Sequence, residues 1–212
     1  MKVKICGIRT VETALHAVQC GTDALGFVFA RSKRQIMAQE AKNIIETIPE
    51  HIWKVGVFVN EDSAEIKRIA ESVGLTHIQL HGDEVPADYQ SIGLPIIKAV
   101  SVHSPKDLEK IDAIEADYIL LDSPPTEYRG GNGSSFEWNL VKAIGKSKKN
   151  IMLAGGLDPE NISKAIAKVN PCMVDVSSGV ETNGEKDLTK IKDFITNAKN
   201  PGEEEDYDNK NL

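Results

Sequence analysis

Short apolar runs rich in Val, Ile and Phe recur along the chain at Val3–Cys6, Ala24–Phe29, Lys54–Val59, His77–Leu80, Ile96–Val100, Tyr118–Leu121, Ile151–Ala154 and Met173–Val176. Between them, apolar residues return every three or four positions in Thr10–Gln19, Ala38–Thr47, Ser63–Val73, Asp107–Glu115, Asn161–Val169 and Asp187–Lys199, with shorter candidates near Ala87–Ile92 and Trp138–Ile144. The first pattern predicts strands and the second helices. The runs start roughly 20 to 30 residues apart, the room a βα unit needs to bring the chain back parallel to itself. They are continuous rather than alternating, which suits strands covered on both faces and a parallel sheet. Eight such units in about 200 residues predict an α/β protein, a single-domain (β/α)8 or TIM barrel, in preference to a doubly wound open sheet. Pro159 and Asn161 mark the start of one helix, and Ser63 is a capping candidate for another.

Composition narrows the possible roles. The 212 residues are 41% hydrophobic and 27% charged, with a formal charge of −7 and no basic stripe, so nucleic acid is not an expected partner. No apolar run approaches the length of a membrane span, and the start MKVKICGIRT lacks a signal-peptide core, which predicts a cytoplasmic protein without a membrane partner. The three cysteines, Cys6, Cys20 and Cys172, have no repeating spacing and are expected to be reduced thiols. No HExxH, Cys/His cluster or carboxylate cluster of metal-site spacing appears, so no metal is expected. The stretch 201–212 has five acids and one lysine, and its −4 leaves only −3 for residues 1–200. Residues 1–200 are read as the barrel and 201–212 as a disordered acidic tail. A monomer is expected rather than a homodimer.

In a barrel of this kind the chemistry sits at the C-terminal ends of the strands. The polar residues there are Cys6-Gly7, Arg31 to Arg34, Asn60-Glu61, His81-Gly82-Asp83, Ser101, Asp122-Ser123, Gly155-Gly156 and Ser177-Ser178-Gly179. Asp122 follows Tyr-Ile-Leu-Leu, where an acid must face the mouth or a partner; it can be catalytic or a hydrogen-bonded strand-end acid. Cys6 can be a reactive thiol or a small buried hydrophobe. Cys20 and Cys172 fall away from the expected mouth and read as structural. Gly155, Gly156, Ser178 and Gly179 put small residues where backbone N–H groups can hold a phosphate, or simply where tight turns are needed. Arg34 belongs to a cation cluster suited to an anionic substrate, and His81 is a base or a strand-end hydrogen-bonding residue. The loop Arg129–Ser135, with Gly131 and Gly133, can close over a ligand.

Lys4-Ile-Cys6-Gly7-Ile8, Gly26-Phe-Val-Phe29, Ser32-Lys-Arg34, Val55–Asn60 and Ile78-Gln-Leu-His81-Gly82 together resemble the phosphoribosylanthranilate isomerases of tryptophan biosynthesis. Leu120-Leu-Asp122, Gly130–Gly133 with Phe136-Glu-Trp138, Leu153–Leu157 with Asn161, and Val174–Glu181 continue that resemblance in order, so that it spans residues 2–199. Departures lie in the strand-two loop, where many members carry prolines or a longer segment, and at Asn132, where threonine is frequent. The resemblance implies an Amadori rearrangement of N-(5′-phosphoribosyl)anthranilate, a small phosphorylated substrate, to 1-(2-carboxyphenylamino)-1-deoxyribulose 5-phosphate without a cofactor. It implies Cys6 as general base, Asp122 as general acid and Arg34 on the anthranilate carboxylate. The turns at Gly155, Gly156, Ser178 and Gly179 would hold the phosphate, with His81, Gly131 and Gly133 also on the substrate. An acid–base pair must start in opposite protonation states; a positive charge near Cys6, such as Lys4, would favour the thiolate.

Two other readings compete. A related phosphate-binding barrel such as indole-3-glycerol-phosphate synthase uses a catalytic lysine and glutamates at its strand ends, where strand one here offers Cys6. A catalytically inactive barrel that senses a phosphorylated metabolite has no need of Cys6, Asp122 and Arg34 together.

Overall fold

A computed structural model describes residues 1–102, 104–109, 111–122 and 149–201. The expected helix at 138–144, the loop at 129–135 with Gly131 and Gly133, and residues 202–212 of the tail lie outside the described residues. Eight strands close into a parallel barrel in sequential order: β1 Lys2–Cys6, β2 Ala24–Val28, β3 Trp53–Phe58, β4 His77–Leu80, β5 Ile96–Ser101, β6 Tyr118–Asp122, β7 Asn150–Ala154 and β8 Met173–Val176. The predicted (β/α)8 architecture is therefore correct, with strand ends moved by at most one residue.

Among the described residues the helices that cover the barrel are α1 Val11–Gln19, α2 Ala38–Ile45, α3 Ser63–Val73, the short α4 Pro105–Leu108, α5 Ile162–Val169 and α6 Leu188–Lys199. Each longer helix buries one stripe: Ile66, Ile69, Ala70 and Val73 on α3, and Ile191, Phe194, Ile195 and Ala198 on α6. α3 is capped not by Ser63 but by Asp62, whose carboxylate accepts from the Ala64 N–H at 2.8 Å, and it stops at Gly74 in the left-handed region. Asn161 does occupy the cap position of α5, but its side chain turns back to the Gly156 carbonyl and the Asp158 N–H instead of capping. Two of the expected helices differ in kind from the regular α-helix that their periodicity suggests. Residues 86–92 form a 3-10 helix, and the 107–115 segment resolves into α4 and a 3-10 turn at Ile111–Ala113. Among the described residues no helix is long and apolar enough to cross a membrane.

Strand alternation divides the core. Outward-facing residues such as Val3, Ile5, Leu25, Phe27, Ile78, Leu80 and Val174 meet the helices, while Ala24, Val55, Ile97, Leu120, Met152 and Met173 fill the barrel. This double burial is why the strands read as unbroken apolar runs. The N-terminal end of the barrel is closed by an aromatic group. Trp53 stacks on His77 with ring centroids 3.9 Å apart, Tyr118 meets Trp53 edge-on at 5.3 Å, and the Lys2 ammonium lies 5.2 Å above the indole.

Burial there lowers the His77 pKa from 6.5 to about 4, with Lys2 adding to the effect and Asp117 opposing it. His77 thus stays neutral in the folded protein while the unfolded chain takes up its proton, so stability is full above pH 6.5 and declines as pH falls toward 4. The shift corresponds to a contribution on the order of 3 kcal/mol. Denaturant melts of His77→Phe, which keeps a ring on Trp53, are expected to lose most of this pH dependence. An unchanged slope would assign the acid sensitivity elsewhere.

Candidate active site

The opposite, C-terminal end of the barrel collects the polar residues singled out in the sequence. Cys6 ends β1 and is 8% exposed, with its side chain on the inner face. Its nearest wall is Gly26 on β2, its register partner; a Cβ there would stand 2.8 Å from the Cys6 sulfur and 3.1 Å from its Cα. Glycine at 26 makes room for the thiol, a requirement that no motif in the sequence disclosed. Burial pushes the Cys6 thiol above its ordinary pKa, Lys4 and Lys186 pull it back, and Asp175 adds to the rise.

Asp122 ends β6, level with Ser101 on β5 and Ala154 on β7, and its side chain is about one-third exposed. His81 just beyond β4 brings Nε2 to 3.3 Å from Asp122 Oδ2, while the other ring nitrogen, Nδ1, lies 2.9 Å from the buried amide nitrogen of Gln79. With that amide donating to Nδ1, the ring proton sits on Nε2 and points at Asp122. Gln79 and His81 share the inner face of one strand, two residues apart. Between β4 and β5 opens a cavity of about 380 Å³ lined by His81, Gly82, Asp83, Lys98, Ala99, Val100 and Ser101.

Arg34 crosses the bare Cα of Gly7, which has a positive φ of 82°. It forms a bidentate pair with Glu181 beyond β8, Nε to Oε1 at 2.6 Å and Nη2 to Oε2 at 2.7 Å. Glu181 also accepts from Lys186 at 2.7 Å, and Lys186 donates to the Ser177 carbonyl at 2.9 Å. Burial alone would raise the Glu181 carboxyl, but its bonds to Arg34 and Lys186 outweigh that and hold it below the ordinary range. Arg34, read in the sequence as part of a cation cluster, thus keeps only Nη1 outside its carboxylate fork. Glu181 appeared in the sequence only as the end of a motif, because its partner is 147 positions away.

Gly155 and Gly156 follow β7 with φ of 80° and 63°, and a Cβ at Gly156 would meet nothing within 4 Å. The Cα of Gly156 thus faces open space. Ser178 and Gly179 begin a 3-10 turn at Ser178–Val180 after β8. Gly179 is a glycine for a packing reason as well, since a Cβ would run into the Leu157 carbonyl oxygen. Cys20 at the end of α1 and Cys172 just before β8 lie away from the mouth, as expected. Among the described residues no group of His, Cys, Asp and Glu could hold a metal.

The model of the N-(5′-phosphoribosyl)anthranilate (PRA) isomerase family matches residues 3–197. The chain belongs to this family. The PRA isomerase of Bacillus mycoides is 54% identical over 200 residues, covering 94% of this chain and 98% of that protein. The solved PRA isomerase of Thermotoga maritima superposes with a TM-score of 0.86 at 44% identity, over 94% of this chain and 98% of that one. A further PRA isomerase structure, at 41% identity and a TM-score of 0.84 with the same coverage, is a complex with reduced 1-(o-carboxyphenylamino)-1-deoxyribulose 5-phosphate. Within the PRA isomerase frame the close approach at Gly179 gives a test that does not depend on any ligand. Gly179→Ala forces the turn after β8 away from Leu157, and thermal melting is expected to show a loss of about 1–3 kcal/mol. An unshifted melting point would mean that this contact yields freely.

Proposed function

We propose that the chain isomerises N-(5′-phosphoribosyl)anthranilate to 1-(2-carboxyphenylamino)-1-deoxyribulose 5-phosphate, with Asp122 as general acid and Cys6 as general base. The observation that carries this is the separation of the two groups around one barrel mouth. The thiol on β1 lies against a bare glycine, and the carboxyl on β6 faces an imidazole. A furanose held between them is reached from two sides, as the reaction requires. Asp122 protonates the ring oxygen, the ring opens to a Schiff base between C1 and the anthranilate nitrogen, and the Cys6 thiolate takes the C2 proton to give an enolamine. Ketonisation adds a proton at C1 and removes one from the C2 hydroxyl. Returned by Cys6 and taken by Asp122, these protons restore both groups to their starting states. His81 Nε2–H supports Asp122 while it is a carboxylate.

Arg34 would take the anthranilate carboxylate through Nη1, its plane fixed by Glu181. The turns at Gly155-Gly156 and Ser178-Gly179, adjacent on β7 and β8, would receive the phosphate, the left-handed glycines letting backbone N–H groups approach it. Gly131 and Gly133, which the resemblance also assigns to the substrate, lie outside the described residues. Family membership weighs against an indole-3-glycerol-phosphate synthase-like activity and against a pure sensor. Among the described residues only Val11, Met37, Val59 and Val85 are large apolar side chains left exposed, which supports a monomer; sedimentation at micromolar concentration tests it.

Cys6→Ala and Asp122→Ala are each expected to lower kcat at least about a hundredfold, with circular dichroism unchanged and substrate affinity little altered. The assay is the loss of PRA fluorescence, and near-wild-type turnover by either variant removes that residue from the mechanism. Arg34→Met is expected chiefly to raise KM, by roughly ten- to a hundredfold, for loss of one charge-assisted hydrogen bond. Glu181→Gln, which leaves the arginine in place but loosens its fork, should raise KM less. An unaltered KM in Arg34→Met would leave the anthranilate carboxylate without its proposed partner.

A further inference from the structure

Directly beneath the mouth, the interior of the barrel holds an ion pair. Lys4 on β1 and Asp175 on β8 are register partners, both inward-facing; Nζ donates to Oδ1 at 2.9 Å, and the side chains are 0% and 7% exposed. Around them the barrel is filled by Ala24, Val55, Met152 and Met173. Such a pair does little for stability, because its attraction barely offsets the loss of hydration and an apolar pair of similar volume would serve as well. Its position suggests a different use. Lys4 and Cys6 stand two residues apart on one strand, hence on the same face and in successive layers of the barrel.

An ammonium has three protons, and Asp175 takes only one of them. Its charge and the Cys6 thiol act on each other: the ammonium favours the thiolate, and the thiolate favours the ammonium. Burial works against its charge, but Asp175 and Cys6 outweigh that effect and Lys4 stays protonated. The other charged groups acting on Cys6 are Asp175 from β8, Lys186 from the two-stranded ribbon Glu181–Thr182/Glu185–Lys186 that follows β8, and Arg34 from the loop after β2. Lys186 and Arg34 are both tied to Glu181, so their charge is largely spent there. Among the cations around the thiol, Lys4 has the strongest influence.

We propose that Lys4, anchored by Asp175, is a positioning residue for the base: from the layer directly beneath, its ammonium stabilises the Cys6 sulfur as the thiolate that removes the C2 proton. The proposal rests on the reading of Cys6 as that base. The thiol first releases its proton to solvent; the sulfur then accepts the C2 proton and gives it back at C1, and Lys4 keeps its own protons throughout. Asp175 has the opposing role of orienting the ammonium while partly cancelling its field.

The test replaces the pair by apolar residues, Lys4→Met with Asp175→Leu, so that no uncompensated charge is buried, in a Cys20→Ser/Cys172→Ser background. Two readouts are taken: the pH dependence of kcat/KM, and the pH dependence of the rate at which iodoacetamide alkylates Cys6. Removing the cation is expected to move the rising limb of both curves upward by a pH unit or more, a loss of at least about tenfold in kcat/KM at neutral pH. Asp175→Asn, which keeps Lys4 but removes the opposing charge, should move both curves the other way and serves equally if the double variant does not fold. Curves that coincide with those of the parent protein in whichever variant is folded overturn the proposal. If Cys6→Ala remains active, the assignment of the base fails, while the alkylation curve still reports whether Lys4 acts on Cys6.

Discussion

Pairing of β1 with β8 joins Lys2–Ile5 to Met173–Val176 and turns a row of βα units into a closed barrel. Everything at the mouth depends on that seam. It sets Lys4 opposite Asp175, lets the Ser177 hydroxyl donate to the Cys6 carbonyl at 3.2 Å, and brings Glu181 within reach of Arg34. A parallel pairing across some 170 residues has a large loop-closure cost, met only when all intervening strands and helices have packed. The surroundings of Cys6 therefore form as a consequence of the whole fold, not of its own neighbourhood in the chain.

Closure also imposes a division of labour on each strand. Outward residues are committed to the helices, so inward positions alone are available for chemistry, and they come every second residue. On β1 these are Lys2, Lys4 and Cys6: a cation at the aromatic base, a buried ion pair in the middle, and a thiol at the mouth. β4 and the residue after it repeat the alternation with His77, Gln79 and His81. The same alternation thus separates the closed end, where His77 is kept neutral by burial, from the mouth, where His81 meets Asp122. Stability and chemistry are placed at opposite ends of the same strands.

Electrostatic control at the mouth comes from paired rather than free charges. Arg34 and Lys186 share Glu181, and Lys4 is held by Asp175. Each carboxylate fixes a cation in space and moderates its field, so that side chains with long flexible stems become rigid fixtures. Glycine plays the complementary part: Gly7 and Gly26 remove the atoms that would stand where Arg34 and Cys6 must lie.

By itself the sequence determined the strands, the parallel barrel and most of the mouth, because apolar runs and strand-end polar residues are local patterns and double burial leaves an unmistakable composition. It located Cys6, Asp122, Arg34 and the glycine turns by their place after each run, and local periodicity failed mainly where short 3-10 turns replace helices, at 86–92 and 111–113. Only the tertiary structure decided which charges meet. Lys4 with Asp175, Arg34 with Glu181 and His81 with Asp122 are separated by 171, 147 and about 40 positions, and nothing in the spacing of one partner points to the other. It likewise decided why Gly26 and Gly179 are glycines, since a missing Cβ has no meaning until the atoms it would strike are in place. Patterns set by burial repeat along a chain and can be read from it, whereas pairings set by closure exist only once the chain has returned to its beginning.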